Sequence, residues 1–284
     1  MRIVLSLRNG RTDTGTTHLG RGCPDCEPDV RSEPAGDVDY ESTGGHYSEV
    51  RRPEPEFAAA IRAALGDAHT LLNVGAGAGS YEPTDLLVTA VEPSASMRSQ
   101  RPEKLVPAID AVAEDLPFAD QIFDSALASV TIHQWRDLAK GLSEMRRVTR
   151  GPIVIMTFDP DALQKFWLAE YSSELMRYEA GRMPPLRTVI DLLGGHSIVI
   201  NLPIPRECRD GFVEAYFCRP EGLLTVEVRR SQSSWGLISK SKEESAVERL
   251  RADIDSGRWD QRFGSLRQMS HYEGSLRLII NNRS

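Results

Sequence analysis

The chain is poor in cysteine and aromatic residues and has no excess of basic residues. Four cysteines in 284 residues are too few for a disulfide-built secreted domain. With 34 Lys and Arg against 41 Asp and Glu, the net charge of -7 argues against a nucleic-acid partner, because phosphate binding needs a concentrated basic surface. No apolar run reaches the ~20 residues that span a bilayer, and the apolar start is too short for a secretory signal. These absences predict a cytoplasmic protein with no nucleic-acid or membrane partner, and they leave open whether it forms a homo-oligomer.

Two of the cysteines, Cys23 and Cys26, form a single C-x-x-C pair. One interpretation is half of a zinc site that Cys208 and Cys218 complete; the other is a pair of free thiols. No second C-x-x-C and no paired histidines accompany the pair. We therefore predict no metal site.

The most informative stretch runs from Thr70 to Glu92 and reads TLLNVGAGAGSYEPTDLLVTAVE. A short apolar run leads into three glycines at alternate positions, and a second apolar run ends in a carboxylate. Glycine permits backbone conformations that a Cβ forbids, and it lets a ligand lie against the chain. A carboxylate at the end of the second strand can accept both hydroxyls of a ribose. The pattern predicts a pocket for an adenosine-containing ligand at the carboxyl edge of a doubly wound sheet.

The glycine register discriminates between adenosine ligands. A dinucleotide-binding turn has G-x-G-x-x-G, and Ser80 stands where its third glycine would fall. Gly75, Gly77 and Gly79 instead form G-x-G-x-G, the pattern associated with S-adenosylmethionine. Two alternatives are kept: an NAD(P)-binding oxidoreductase and a non-catalytic cofactor-binding module. The oxidoreductase would usually need a Tyr-x-x-x-Lys pair, and the segment at Tyr171 lacks the lysine.

Residues 70–160 resemble a class I S-adenosylmethionine-dependent methyltransferase of the small-molecule subgroup called type 11. Beside the glycine turn, three segments match in order: VEPSASM (Val91 to Met97), AEDLPF (Ala113 to Phe118) and FDSALASVTIHQW (Phe123 to Trp135). The resemblance implies an α/β, Rossmann-like doubly wound sheet of seven strands, the last antiparallel, with a helical cap. It also implies S-adenosylmethionine as cofactor and a small, apolar or aromatic acceptor. Methylation on oxygen, nitrogen or carbon, including a prenyl or terpenoid carbon of secondary metabolism, stays open.

The same resemblance assigns cofactor contacts. Glu92 would bind the ribose, and Met97 would lie near the adenine, which Ala113 and Glu114 would bracket. Asn73 stands where the family usually has Asp or Glu, so an amide there alters how the cofactor's ammonium group is held. The other predicted cofactor contacts are Gly75, Ala76, Gly77, Gly79, Pro93 and Ser129.

A segment rich in Tyr and Arg, from Asp39 to Pro53, precedes the first predicted helix. In similar methyltransferases such a segment caps the cofactor, and here Tyr47 and Arg51 would approach the methionine carboxylate. A guanidinium suits that place because it binds a carboxylate with two hydrogen bonds. Tyr40 is a further candidate for the same lid, as a substrate contact. The alternative is a solvated basic face.

His133 follows the predicted fourth strand, where the resemblance places the transferred methyl group. We predict that it acts as a general base or orients the acceptor; the alternative is a structural histidine. Five further side chains are candidates for the acceptor pocket, with core packing as the alternative for the aromatic ones: Trp135, Trp167, Tyr171, His196 and Tyr216.

Composition and periodicity divide the chain. Residues 1–36 cannot bury enough apolar surface and are predicted to be a disordered tail, whereas 37–284 form the methyltransferase domain. Within it, 37–160 hold the cofactor core with its cap, and 161–284 the substrate-side helices and last strands. Apolar periodicity predicts helices around Phe57 to Leu65, Leu138 to Met145, Asp161 to about Arg182 and Glu243 to Ile254, and strands at Ile153 to Phe158, Ile198 to Ile204 and Leu276 to Ile280.

Overall fold

One mixed sheet organises residues 52–282, the part of the chain that the computed structural model describes. The strands of this part of the chain are β1 (Thr70–Val74), β2 (Leu87–Val91), β3 (Ser125–Ser129), β4 (Ile153–Phe158), β5 (His196–Asn201), β6 (Ile204–Pro205), β7 (His271–Tyr272) and β8 (Leu276–Asn282). Six of them form the sheet in the order β2-β1-β3-β4-β8-β5, and β6 and β7 pair separately. The first four are parallel, while β8 runs antiparallel between β4 and β5. The predicted fold class and the antiparallel last strand are confirmed.

The sheet has six strands where seven were predicted. Beside β2, the chain forms only a single parallel bridge between Val91 and Ile109. The Ile109 N–H donates to Ala90 O at 2.8 Å, and its carbonyl accepts from the Glu92 N–H at 3.0 Å. Pro107, two residues earlier, has no N–H to donate to the next ladder position. The third strand of the predicted order is therefore reduced to one bridge.

Helices cover both faces of the sheet. The α-helices of residues 52–282 are α1 (Pro55–Ala64), α2 (Ala95–Ser99), α3 (Leu138–Val148), α4 (Pro160–Leu163), α5 (Ser173–Arg182), α6 (Leu186–Leu193), α7 (Val226–Arg230), α8 (Lys240–Asp255) and α9 (Arg258–Phe263). Short 3₁₀ helices lie at Ile132–Gln134, Trp167–Glu170, Val213–Tyr216, Pro220–Leu224, Ser233–Leu237 and Gly264–Gln268. Three predicted helices are confirmed as α1, α3 and α8. No helix of residues 52–282 is long and apolar enough to cross a membrane.

The single helix predicted from Asp161 to about Arg182 is wrong. The chain there forms α4, a 3₁₀ turn and α5, with extended backbone at Phe166 (ψ 141°) and a further break at Ser172. Phe166, Leu168 and Tyr171 are all buried. Together with Trp167 they point around more than half of an ideal helix, so a straight helix would expose some of them. Breaking the helix lets all of them reach the core.

The apolar run predicted as one strand from Ile198 to Ile204 is also divided. It forms β5 at the sheet edge and then β6, which pairs with β7 away from the main sheet. Pro203 separates the two strands and, lacking an N–H, cannot continue the ladder.

Two apolar layers sandwich the sheet. One contains Leu71 and Leu127 with α1 and the aromatic residues of the C-terminal half, among them Trp259. The other contains Leu72 and Ile155 with α3 and α6. Strands of a parallel sheet are buried on both faces, and β4 is accordingly buried at all six positions and apolar at all but Thr157.

A buried carboxyl joins the 3₁₀ helix Val213–Tyr216 to the residue that precedes β8. Glu214 is fully buried; its carboxyl accepts from the Ser275 N–H at 3.1 Å and from the Ser275 hydroxyl. Burial raises the pKa of Glu214 to about 7, although the two donors oppose the shift. The folded protein therefore holds this proton up to a higher pH than the unfolded chain does.

We expect the free energy of unfolding to fall between pH 4.5 and 7, because the unfolded chain releases this proton first. Glu214→Gln cannot titrate, so its stability relative to the native chain should rise by about 2–3 kcal/mol between pH 4.5 and pH 8. Urea unfolding at several pH values measures this difference. Glu207→Gln, at an 81% exposed side chain, is the control and should leave the profile unchanged. A constant difference between Glu214→Gln and the native chain would contradict the assignment.

Candidate functional site

The glycine loop, residues 75–79, leaves the carboxyl end of β1 and packs closely against its neighbours. Gly75 has φ +66°, and a Cβ there would lie 2.1 Å from the Thr131 Oγ1. The Ala76 N–H donates to Val91 O at 2.9 Å, which ties the loop to the end of β2. A side chain at position 75 is therefore excluded by both backbone conformation and space.

Glu92 holds the loop from the end of β2. Its Oε2 accepts from the Gly77 N–H at 2.8 Å, and its Oε1 accepts from the Ser94 N–H at 2.9 Å. The residue is 7% exposed, and burial raises the pKa of its carboxyl against the effect of these donors. The Met97 methyl lies 3.3 Å from where a Cβ on Gly77 would stand. The predicted ribose carboxylate, the loop and the adenine-side methionine are thus brought together, with Pro93 between Glu92 and the start of α2.

A buried hydrogen-bonded network of Asn73, Glu82 and Arg101 lies beside the glycine loop. Asn73 donates from Nδ2 to Glu82 Oε1 at 3.0 Å, and Arg101 Nη2 donates to both Glu82 carboxylate oxygens at 2.9 Å. The Arg101 and Glu82 side chains are 4% and 1% exposed. Asn73 Oδ1 is buried and has no hydrogen-bond partner among residues 52–282, so it offers an acceptor beside the loop. A carboxylate thus lies beside Asn73, supplied by Glu82 nine residues later in the sequence.

Predicted adenine-side residues lie beyond β2, next to α3. Ala113 is buried, and Glu114 Oε1 accepts from the Asp137 N–H at 3.0 Å, at the start of α3. Trp135 packs on α3 at Gly141, where a Cβ would lie 2.5 Å from the indole ring and 3.3 Å from the Ala113 Cβ. Trp135, predicted as an acceptor contact, therefore lies on this side of the sheet as a packing residue.

A small cavity of about 60 Å³ opens at the carboxyl ends of β3 and β4. Val130 and His133 from the segment after β3 line it, together with Phe158 at the end of β4. The opposite wall comes from the C-terminal half of the chain: Glu179, Arg182, Met183, Phe212, Val213 and the segment 230–234.

The segment after β3 joins the cavity to the glycine loop. Ser129, half-buried, ends β3, and Val130 follows with φ +50°, a conformation that is strained for a β-branched residue. Thr131 fills the space above Gly75, while Val130 and His133 line the cavity. One turn of chain therefore borders both the predicted cofactor loop and the cavity. His133 lies where the sequence predicts it.

The other predicted acceptor residues within 52–282 do not line this cavity. Trp167 and Tyr171 are 5% and 4% exposed; the Trp167 indole N–H donates to Phe217 O at 3.1 Å and the Tyr171 hydroxyl to Asp253 at 3.0 Å. Their placement supports the core-packing alternative. Tyr216 packs on Gly222, where a Cβ would lie 2.4 Å from its ring.

His196 lies at the opposite edge of the sheet from the cavity. It begins β5 and is aligned with Asn282, next to the amino end of β4. Since β5 runs parallel to β4, its first residue is at the edge where the parallel strands begin, and the site is at the edge where they end. The prediction of His196 as an acceptor contact is therefore wrong.

Several predicted residues lie outside residues 52–282: the tail 1–36, the lid residues Tyr40, Tyr47 and Arg51, and the pair Cys23 and Cys26. Cys208 and Cys218, the proposed partners of that pair, are buried thiols whose pKa burial raises, that of Cys208 to about 12. The described part of the chain contains no cluster of three or more potential metal ligands.

Comparison with known proteins identifies the family of the chain. The family profile described as "Methyltransferase domain" matches residues 72–152. The crystal structure of a putative methyltransferase from an antibiotic biosynthesis pathway of Anabaena variabilis is 31% identical, with a TM-score of 0.76; the match covers 82% of this chain and 99% of that one. An uncharacterized protein of Escherichia coli, YafE, is 26% identical over 129 residues, 42% of this chain and 62% of its own length. A geranyl diphosphate C-methyltransferase from Streptomyces coelicolor, at 16% identity and TM-score 0.47 over 80% of this chain and 78% of that one, is too distant to inform the acceptor.

The chain belongs to the class I S-adenosylmethionine-dependent methyltransferases. Its cofactor is S-adenosylmethionine, and it is an enzyme of the transferase class. The residues present fit this cofactor: the loop has no Cβ at Gly75, a buried carboxylate stands at Glu92, and Asn73 presents an unpaired acceptor. Family membership decides between the two interpretations of the glycine turn, against the dinucleotide.

Proposed function

We propose that this enzyme methylates a small molecule bound in the cavity at His133. The observation that carries the proposal is the segment from Val130 to His133, which contacts the glycine loop at Thr131 and lines the cavity on either side of it. An acceptor in the cavity would lie next to the cofactor. The net charge of -7 supports a free small molecule over a nucleic acid, and a cytoplasmic location stays a prediction from the sequence.

The lining supports an acceptor with an apolar or aromatic part. Phe158 and Phe212 are each 5% exposed, and their ring centroids are 5.4 Å apart. Val130, Met183 and Val213 complete this apolar side of the cavity. An apolar body of the acceptor would be held there by burial, and the polar residues opposite would fix its orientation.

Bound S-adenosylmethionine supplies an activated methyl group on a sulfonium sulfur. The main task of the chain is therefore alignment, which can lower a barrier by ~7–11 kcal/mol without a dedicated catalytic residue. Glu92 would hold the ribose hydroxyls, and the loop backbone would hold the rest of the adenosine side. The roles of Ala113, Glu114 and Ser129 beside them are part of the same proposal.

His133 would take the proton of a hydroxyl or amine acceptor. It lines the cavity from the 3₁₀ turn Ile132–Gln134, directly after the strained Val130. An olefinic carbon, as in a prenyl chain, needs no base at the methyl-transfer step. In that case Phe158 and Phe212 would stabilise positive charge on the acceptor through their ring faces.

The direct test supplies S-adenosylmethionine with a panel of hydroxylated, amino and olefinic metabolites and follows the product mass. We expect a product heavier by one methylene unit with at least one class, and calorimetry should show S-adenosylhomocysteine binding far more tightly than NAD. Phe212→Ala should reduce turnover without changing cofactor affinity, because Phe212 lines only the acceptor side. Tight NAD binding with none of S-adenosylhomocysteine, or a Phe212→Ala enzyme with unchanged turnover on its acceptor, would contradict the proposal.

A further inference from the structure

Arg230 is a cation at the cavity for which residues 52–282 supply no hydrogen-bond or ion-pair partner. It ends α7, is exposed, and lines the cavity. No described residue forms a hydrogen bond or ion pair with its guanidinium. The preceding Arg229 is 7% exposed; it donates to Glu243 at 2.6 Å and to Leu223 O at 2.8 Å. The two adjacent arginines therefore have different surroundings: Arg229 is buried and hydrogen-bonded within the protein, and Arg230 is exposed at the cavity.

The polar side chains next to Arg230 are already engaged. Arg182 donates to Glu179 at 3.0 Å and to the Ser233 hydroxyl at 2.9 Å. Gln232 donates to Gly211 O at 3.0 Å, and Ser231 donates to Val228 O at 2.7 Å. These bonds hold the wall in place and leave Arg230 as the group with unused donors.

The charges of the lining do not cancel. Among the lining residues within 52–282, two guanidinium groups, on Arg182 and Arg230, stand against one carboxylate, on Glu179, and that carboxylate is paired with Arg182. One positive charge remains at the mouth of a cleft whose other side is apolar. A concave, partly apolar wall concentrates such a field and attracts an anion.

Resting on the proposed function, we propose that the acceptor carries a carboxylate group, bound by Arg230, on an apolar or aromatic body that packs against the apolar lining formed by Phe158 and Phe212. A carboxylate matches the guanidinium in geometry, because two parallel N–H donors meet two oxygens. It also matches the single residual charge, whereas a phosphate dianion would place excess negative charge beside Glu179. The carboxylate at the mouth would then direct the other end of the acceptor toward His133.

The test uses benzoate as a probe and benzamide as its neutral counterpart, titrated calorimetrically into the full chain saturated with S-adenosylhomocysteine. Benzoate should bind about tenfold more tightly, the lower end of what a charge-assisted hydrogen bond contributes, because Arg230 is solvent-exposed. The preference should shrink as salt is added. Arg230→Ala should abolish it, and Arg230→Lys should retain part of it.

The matched control is Arg187→Ala, which removes the same charge from an 84% exposed side chain on α6, on the other layer of the sheet. It should leave the preference unchanged. Three results would overturn the proposal: benzamide binding as well as benzoate, no binding of benzoate, or a preference that survives Arg230→Ala. Tighter binding of phenyl phosphate than of benzoate would overturn the choice of a carboxylate.

The benzoate-binding test and the methylation test distinguish a failure of the carboxylate assignment from a failure of the proposed function. If S-adenosylhomocysteine binds and neutral acceptors are methylated while benzoate holds no advantage, the carboxylate assignment fails and the proposed function stands. If benzoate is preferred through Arg230 but no acceptor acid or neutral compound is methylated, the anion site stands and the proposed function fails.

Discussion

Replacing His133 by alanine is expected to lower kcat by ~10²–10⁴ on a hydroxyl or amine acceptor, the usual contribution of a general base. His133 and the strained Val130 both line the cavity. Between them, Thr131 packs against Gly75 of the glycine loop. The affinity for S-adenosylhomocysteine should hardly change, because the groups that hold the loop are on Glu92 and Gly77. Steady-state kinetics with calorimetry on the same variant separates the two effects.

The matched control is His196→Ala, at the opposite edge of the sheet, which should retain full activity. A hydroxyl substrate turned over at the native rate by His133→Ala would remove His133 from the mechanism. With an olefinic acceptor, the same variant should keep most of its rate, because no proton leaves at the methyl-transfer step. Phe212→Ala should then be the more damaging change.

The arrangement of the glycine loop and Glu92 was predictable because its parts are close together in the sequence. Strand, glycine loop, second strand and carboxylate follow one another between Thr70 and Glu92, and each residue type there is required by backbone geometry or by the ligand. Even so, the partner of Asn73 was missed. Glu82 becomes visible only when the chain after Gly79 folds back and pairs it with Arg101.

The acceptor half was not predictable because distant elements build it. Val130, Arg182, Phe212 and Arg230 come from four separate parts of the chain, and no local pattern says that they meet. For the same reason, residue type alone does not predict which side chains contact the acceptor. Aromatic side chains such as Trp167 attract attention in the sequence, yet burial in the larger core explains them fully.

Two adjacent arginines show most clearly that local sequence does not predict which side chains line the cavity. Arg229 and Arg230 are identical in the sequence and have the same local environment along the chain, but one is buried against Glu243 and the other is exposed at the cavity. A helix turns by about 100° per residue, so neighbouring side chains point in different directions. Whether a side chain reaches the cavity depends on the residues that line it, and these come from distant parts of the chain.

Glu92→Ala is expected to weaken S-adenosylhomocysteine binding by ~10²–10³-fold. Losing a hydrogen bond to a charged group accounts for ~1.5–3 kcal/mol, and leaving a buried N–H without an acceptor adds ~1 kcal/mol or more. The structure supplies the second contribution: the carboxylate accepts from the Gly77 and Ser94 N–H groups, so its removal loosens the loop as well as the predicted ribose contact.

Glu92→Gln separates these two contributions because it keeps the side-chain shape and one acceptor oxygen. It should hold one of the two N–H groups and bind the cofactor with intermediate affinity. Glu103→Ala, at an exposed glutamate just after α2, is the matched control and should bind like the native chain. Thermal unfolding of each variant shows whether the fold is retained. A folded Glu92→Ala protein with native affinity would place the adenosine somewhere other than the ends of β1 and β2, and with it the alignment on which the proposed reaction depends.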